Sequence, residues 1–199
     1  MTPADIAKCL NVSRETMDRF GLYLDLLSKW QPRINLVATS TLDSAWQRHI
    51  LDSGQLAAYL PPAPKLILDV GSGAGFPGLV LAIMTGHRVE LVESDQRKAV
   101  FLSTVIRELG LDAAVHNCRI ESLPPLYPDV ITVRALAALP KLLNLIEKQL
   151  HKGCSCLFLK GASINEELTQ IESCSSMTAS IHPSLSGADG VVLQLLPTR

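Results

Sequence analysis

Residues 66–78 read Leu66-Ile67-Leu68-Asp69-Val70-Gly71-Ser72-Gly73-Ala74-Gly75-Phe76-Pro77-Gly78, and this stretch decides the fold. Lys65 to Val70 is a short apolar run of the kind that forms a buried parallel strand. It passes at once into a loop with glycine at alternate positions. A helix follows from Pro77 to Thr85, proline being acceptable in a first turn. Glycines between a strand and a helix let backbone N–H groups approach a ligand that bulky side chains would hold away. Roughly twenty residues past Gly71, a second strand (Arg88 to Val92) ends at Glu93, where ribose-binding acids sit in Rossmann-like folds. A carboxylate there can accept hydrogen bonds from both ribose hydroxyls. Gly71, Gly73, Gly75 and Glu93 are therefore candidate positions for holding a nucleotide-like ligand.

Working outward, the rhythm of strand and helix continues towards the C-terminus. Gln96 to Leu109 reads as a helix closed by Gly110, Ala113 to His116 as a third strand and Asp129 to Val133 as a fourth. Leu139 to Leu150 is a helix, Cys154 to Leu159 a fifth strand, and Ile164 to Glu172 a further helix. Met177 to Ile181 and Val191 to Leu196 complete the strands. Their connection, ending in Ser186 to Gly190, is too short for a crossover, so these two run antiparallel. Towards the N-terminus the first sixty residues read as helices. Arg14 to Trp30 has Met17, Phe20, Leu24, Leu27 and Trp30 near helical spacing, with Ser13 as N-cap and Pro32 as stop. Leu42 to Tyr59 reads as a second helix, and Pro61-Pro62-Ala63-Pro64 as a stiff boundary. The expected organisation is an N-terminal helical extension, residues 1–62, packed on an α/β core, residues 63–199. That core is a Rossmann-like, mostly parallel seven-stranded sheet with an antiparallel terminal strand, the pattern of class I methyltransferases.

The loop alone leaves two ligands open. Gly71-Ser72-Gly73-Ala74-Gly75 suits S-adenosylmethionine, while Gly73 to Gly78 also fits the dinucleotide spacing G-x-G-x-x-G. Three observations favour the methyl donor. Gly71 follows the strand directly, the chain has no room for a separate dehydrogenase substrate domain, and the sheet ends in an antiparallel hairpin.

Composition narrows the classes. Of 199 residues, 47% are hydrophobic and 19% charged, which argues for a packed core rather than disorder. A net charge of -1 gives no compositional signal for nucleic-acid binding. No window reads as a secretory signal or as a membrane span, so a cytoplasmic protein is expected. Cys9, Cys118, Cys154, Cys156 and Cys174 show no zinc-site spacing, and buried, reduced thiols with no metal site are expected.

The chain resembles the rRNA small-subunit methyltransferase G family, also called glucose-inhibited division protein B. The residues that carry the resemblance are Trp30, Asn35-Leu36, Arg48-His49-Ile50-Leu51-Asp52-Ser53 and the loop from Asp69 to Gly78. They continue with Glu93-Ser94, Arg97-Lys98, Phe101-Leu102, Arg119-Ile120-Glu121, Arg134-Ala135 and Leu159-Lys160-Gly161. They run in order over most of the chain, with a weak match in the last forty residues. The resemblance implies methylation of N7 of one guanine, guanine 527, in bacterial 16S rRNA. It implies contacts to S-adenosylmethionine from Gly71, Phe76, Ile120, Glu121 and Arg134. Glu93 stands where the family usually has aspartate.

Guanine N7 carries an in-plane lone pair and no proton, so it can attack a sulfonium methyl without a general base, and the enzyme's task is orientation. No side chain is therefore expected to be an obligatory proton acceptor. Arg48 and Asp52 are four residues apart, and on helical spacing alone they read as an intrahelical ion pair beside a partly buried histidine. The resemblance instead assigns Asn35, Arg48, His49 and Asp52 to covering the pocket and placing guanine or ordering the donor. Lys160 is a candidate phosphate contact or a solvated strand end. For Glu121 the bland reading is a charge at a helix start, and for Arg134 a surface salt bridge. Lys29, Arg33, Arg48, Arg97, Arg134 and Lys160 could meet phosphate. The expected partner is 16S rRNA or a small-subunit particle, with no membrane and no stable protein partner. A methyltransferase for a small molecule or protein, an NAD-dependent oxidoreductase and a non-catalytic nucleotide-binding protein are the alternatives.

Overall fold

In the computed structural model, which describes residues 1–62, 65–161, 163–170, 177–187 and 189–197, strand residues point alternately into two apolar layers. Ile67 of β1 (Leu66–Val70) packs into one layer, and its neighbours Leu68 and Val70 into the other. In β5 (Ser155–Lys160), Leu157 and Leu159 face the first layer, while Cys156 and Phe158 face the second. Period-two alternation with both faces apolar is what a sheet covered on both sides requires.

β1 lies between β2 (Arg88–Val92) and β4 (Val130–Arg134), parallel to both. β3 (Ala113–His116) continues the parallel pairing beyond β2, and β5 beyond β4. β7 (Val191–Pro197) is antiparallel to both β5 and β6 (Met177–Pro183), giving the order β3-β2-β1-β4-β5-β7-β6. The expected sheet is observed, and the order reverses between β1 and β4. Ligands bind in the crevice beyond the carboxyl ends of strands at such a reversal.

The first layer is covered by α1 (Pro3–Leu10), α2 (Arg14–Trp30), α4 (Gly78–Met84) and α5 (Gln96–Leu109). α1 was not singled out in the sequence; Thr2 caps it with a reciprocal bond to Asp5. Ser13 caps α2, whose Phe20, Tyr23, Leu24 and Leu27 enter the same apolar cluster as Ile67 of β1 and Leu91 of β2. Gly110, at φ 57°, closes α5 as expected. The second layer is covered by α6 (Leu139–Ile146) and Ile164 of α7 (Ile164–Thr169).

Several boundaries differ from the sequence reading. The helix expected over 42–59 is broken into a π-helical segment, Trp46–Leu51, a single turn α3 (Asp52–Gly54) and a 3₁₀ stretch, Gln55–Tyr59. The backbone N–H of Asp52 donates to the carbonyl of Gln47, five residues back. The wider turn lets the consecutive residues His49, Ile50 and Leu51 all be buried. The helix over 139–150 stops at Ile146 and tightens into 3₁₀ form because Gln149 turns inward. Its side chain bonds Leu123, Pro124 and Leu126 of the preceding loop. Pro77 is the N-cap of α4 rather than part of its first turn.

Cys154 and Cys156 are buried and reduced as expected, whereas Cys9 is exposed. Cys174, the end of the expected helix at Glu172 and the Ala63-Pro64 boundary lie outside the described residues. Among the described residues no helix is long and apolar enough to cross a membrane, and no group of side chains could hold a metal ion.

Candidate functional site

The glycine loop is clamped to the end of β2. Backbone N–H groups of Gly71 and Ser72 both donate to the carbonyl of Val92, at 2.9 and 3.1 Å. This brings the next residue, Glu93, against the loop. Its carboxylate accepts from the N–H of Gly73 at 2.8 Å and from that of Asp95 at 2.7 Å. Asn117, beyond β3, braces the Glu93 carbonyl at 2.8 Å. The loop takes left-handed backbone at Gly71, Gly73 and Gly75. At Gly73, φ is 58°, a conformation that glycine adopts without steric cost. At Gly75, φ is 97°, and a Cβ would collide with the Leu79 side chain and lie 2.9 Å from the Tyr23 hydroxyl.

A cavity of about 300 Å³ opens over this loop, walled by Gly71, Gly73, Glu93, Ser94, Ile120 and Glu121. Two oxygens of Glu93 with lone pairs to spare, bare backbone at Gly71 and Gly73, and the apolar side chain of Ile120 suit a ribose and an adenine. At Gly71, φ is 72°, and a Cβ would meet the end of the exposed Leu136 side chain at 2.8 Å. Glu121 is exposed beside it, and its carbonyl accepts from Lys148 Nζ at 3.0 Å.

Asp69, at the foot of the loop, is buried, and Thr132 donates to its Oδ1 at 2.8 Å. Burial pushes this carboxyl up to about 6, against opposing hydrogen bonds and the positive charge of Arg134. α2 supports the loop from the other side, where the buried Tyr23 hydroxyl donates to the carbonyl of Ala74 at 2.5 Å. Burial pushes the Tyr23 hydroxyl well above its usual range, so it stays a donor.

Phe76 anchors the far end of the loop and is buried. The His49 ring lies on it with centroids 4.8 Å apart and 18° between planes, and the Arg134 guanidinium carbon sits 4.7 Å from its centroid. Arg134 Nη1 also donates to the carbonyl of Arg48 at 3.2 Å and to His49 Nδ1 at 3.1 Å, and lies 3.7 Å from Asp52 Oδ2. Burial, then the charges of Arg134 and Arg48, push His49 down to about 3. The imidazole is therefore neutral. Because Nδ1 accepts from Arg134, the proton resides on Nε2, which donates to Thr41 Oγ1 at 2.9 Å; Thr41 donates onward to the Ala38 carbonyl at 2.7 Å.

A second cavity, about 610 Å³, lies beside the stack. The segment 36–52 walls it with Leu36, Thr41, Arg48, His49 and Asp52; the ends of β4 and β5 wall it with Arg134 and Lys160. The turn after β4 divides the two spaces. Arg134 and Ala135 line the larger cavity and Leu136 the smaller, and Ala135 takes φ 52°, an unusual conformation for a side-chain-bearing residue. Two ligands seated in these cavities would meet across a single tight turn.

The model of the rRNA small subunit methyltransferase G family (GidB) matches residues 16–191 of this chain. The chain belongs to that family. A ribosomal RNA small subunit methyltransferase G from Cereibacter sphaeroides is 48% identical over 191 residues, covering 94% of this chain and 93% of the relative. One from Paramagnetospirillum magneticum is 48% identical over 195 residues, covering 98% and 95%. In fold, the chain resembles the crystal structure of an S-adenosylmethionine-dependent methyltransferase from Aquifex aeolicus. That likeness has a TM-score of 0.60 at 14% identity and covers 76% of this chain and 92% of that one. As a member of the family this chain is a methyltransferase, with S-adenosylmethionine as its donor.

Against the residues expected from the family resemblance, the structure brings Gly71, Gly73, Glu93, Ile120 and Glu121 to the smaller cavity. Arg48, His49, Asp52, Arg134 and Lys160 gather at the larger one, with Gly75 and Phe76 supporting the loop between. Arg134, expected at the donor, thus faces the second cavity. Asn35 is exposed between buried Ile34 and Leu36 and lines neither cavity. Lys160 is neither solvated nor free: its ammonium donates to Glu167 at 2.8 Å and to the Ala137 carbonyl at 2.7 Å. The ion pair that helical spacing suggested between Arg48 and Asp52 does not form among the described residues; Asp52 faces Arg134 instead. The π-helical register is the reason. Sequence reasoning missed Tyr23 and Thr41. Tyr23 sits on the apolar stripe of α2, where an aromatic reads as core; nothing in the sequence marks Thr41.

Proposed function

We propose that this chain transfers the methyl group of S-adenosylmethionine to N7 of a single guanine, guanine 527, in bacterial 16S rRNA. The observation that carries the reading is the pair of cavities on either side of the Arg134–Leu136 turn, within a chain of the methyltransferase G family. Bound over Gly71 and Gly73, the donor would supply an electrophilic methyl group, with Glu93 accepting from its ribose hydroxyls. The larger cavity would receive the base.

The state of His49 fits an acceptor that has no proton to lose. It is the histidine at the junction, and both of its ring nitrogens are already engaged, by Arg134 and by Thr41. A guanine N7 lone pair asks only to be held in line with the methyl carbon and sulfur. Arg48 remains on the wall with its guanidinium beside Gly187, a candidate donor to phosphate or to the base. Arg48, His49 and Asp52 are proposed to place the base, and Gly71, Gly73, Glu93, Ile120 and Glu121 to hold the donor, with Gly75, Phe76 and Arg134 shaping the junction; Asn35, which lines neither cavity, has no part in this assignment. Residues 1–62 act as an extension of the core rather than as a separate unit, and the protein works in the cytoplasm on free 16S rRNA or a small-subunit particle.

The test is nucleoside analysis of 16S rRNA from a strain lacking the gene, before and after free rRNA and intact small-subunit particles are each incubated with purified protein and donor. Appearance of one N7-methylguanosine, mapped by strand cleavage to guanine 527, is the expected result. Methylation of a different atom or base, or none, overturns the reading.

A further inference from the structure

The turn between β6 and β7 has no part in the assignments above, and its place follows from topology. β7 runs antiparallel between β5 and β6, with Val191 opposite both Lys160 and Pro183. That register sets the turn beyond the carboxyl end of β5, on the ligand edge of the sheet. Neighbouring strands lie about 4.8 Å apart, so the turn stands roughly 10 Å from the end of β4, across the larger cavity. Ser186, Gly187, Asp189 and Gly190 line that cavity.

The turn is joined to the N-terminal segment by polar contacts that are mostly shielded from water. Ser186 is buried, and its hydroxyl donates to Asp52 Oδ1 at 2.5 Å. Its N–H donates to Ser184 Oγ at 3.1 Å, and its carbonyl accepts from Gln47 Nε2 at 3.1 Å. Buried Gln55 bridges the same pieces, accepting from the Leu185 N–H at 2.8 Å and donating to Ser184 Oγ at 2.9 Å. The other oxygen of Asp52 faces Arg134 at 3.7 Å. One carboxylate is thus shared between the turn and the arginine at the junction of the cavities.

We propose that Ser186 is a positioning residue of the acceptor site. Its hydroxyl orients the Asp52 carboxylate, which holds the β6–β7 turn as the far wall of the acceptor cavity and Arg134 as the near one. For the identity of the ligand this rests on the guanine reading above. Without the hydroxyl, Asp52 loses its shortest bond, the wall moves and Arg134 gains freedom. The donor cavity, which neither Ser186 nor Arg134 lines, keeps its shape.

The experiment measures methyl transfer to unmethylated 16S rRNA, alongside calorimetric binding of S-adenosylhomocysteine, for wild type, S186A, D52N and the double variant. S186A is expected to raise KM for RNA about tenfold, as loss of a charge-assisted bond implies, with S-adenosylhomocysteine affinity within about twofold of wild type. The two substitutions share one carboxylate, so their effects do not multiply, and the double variant falls within about threefold of D52N. An unchanged KM, a parallel loss of S-adenosylhomocysteine affinity, or independent multiplication would each overturn the proposal. Should S186A fail to fold, Ser186→Cys, which keeps the volume and donates only weakly, carries the same expectations. Absence of transfer by the wild type to both free 16S rRNA and small-subunit particles overturns the guanine reading and this inference with it. Normal wild-type transfer with an unaffected S186A overturns this inference alone.

Discussion

Replacing His49 by glutamine should invert the pH dependence of stability, because His49 and Asp69 pull in opposite directions over one pH window. His49 falls from 6.5 in the unfolded chain to about 3 in the fold. The unfolded state therefore binds the extra proton between those values. The stability that neutral His49 contributes is complete above pH 6.5 and is lost as pH falls towards 3. Asp69 rises from 3.8 to about 6. Here the folded state holds the extra proton, so its contribution is complete below 3.8 and is lost as pH rises through 6. Between pH 7 and pH 5, His49 should cost about 2 kcal/mol and Asp69 should return about 1 kcal/mol. The wild type then changes little, by about 1 kcal/mol. H49Q should become more stable as pH falls over that interval, and D69N should lose about 2 kcal/mol. Urea unfolding of the three proteins at pH 5, 6 and 7, without donor, measures this. Parallel curves for all three would refute the argument, since every other titrating group is common to them.

Tyr23→Phe removes one buried hydrogen bond to the Ala74 carbonyl and should cost about 1–3 kcal/mol. At roughly 2–4 °C per kcal/mol in a chain of this size, thermal unfolding should show a drop of several degrees, with weaker S-adenosylhomocysteine binding by calorimetry; no change in either would count against α2 as a support of the loop. Glu93→Ala should abolish measurable donor binding while leaving the fold intact by circular dichroism, and wild-type donor affinity would remove Glu93 from the ribose site. Gly75→Ala meets both a left-handed φ and the Leu79 side chain, so it should destabilise by more than about 1 kcal/mol in urea, and a neutral result would contradict the close approach.

The elements legible in the sequence were those whose signals are local. The apolar run ending at Val70, the cap at Ser13 and the left-handed Gly110 each specify their own conformation within a few residues, and each is found where expected. The donor loop was legible for the same reason. Gly71 to Gly75 and Glu93 are bound to one another through neighbouring strand ends, a relation that any parallel strand–helix–strand unit imposes.

The acceptor side was only half legible, and the register of residues 46–52 shows why. A helical period of 3.6 puts Arg48 and Asp52 on one face, so pairwise spacing points to an ion pair between them. Bonds to the fifth residue instead of the fourth widen the turn, and Asp52 swings to Arg134, more than eighty residues away, and to Ser186, on a turn that closes the sheet. No propensity favours a π-turn over an α-turn in Trp46–Leu51. The choice is made by burial: His49 must reach Phe76, Ile50 and Leu51 must reach the core, and the site that results depends on contacts that no local stretch of sequence contains.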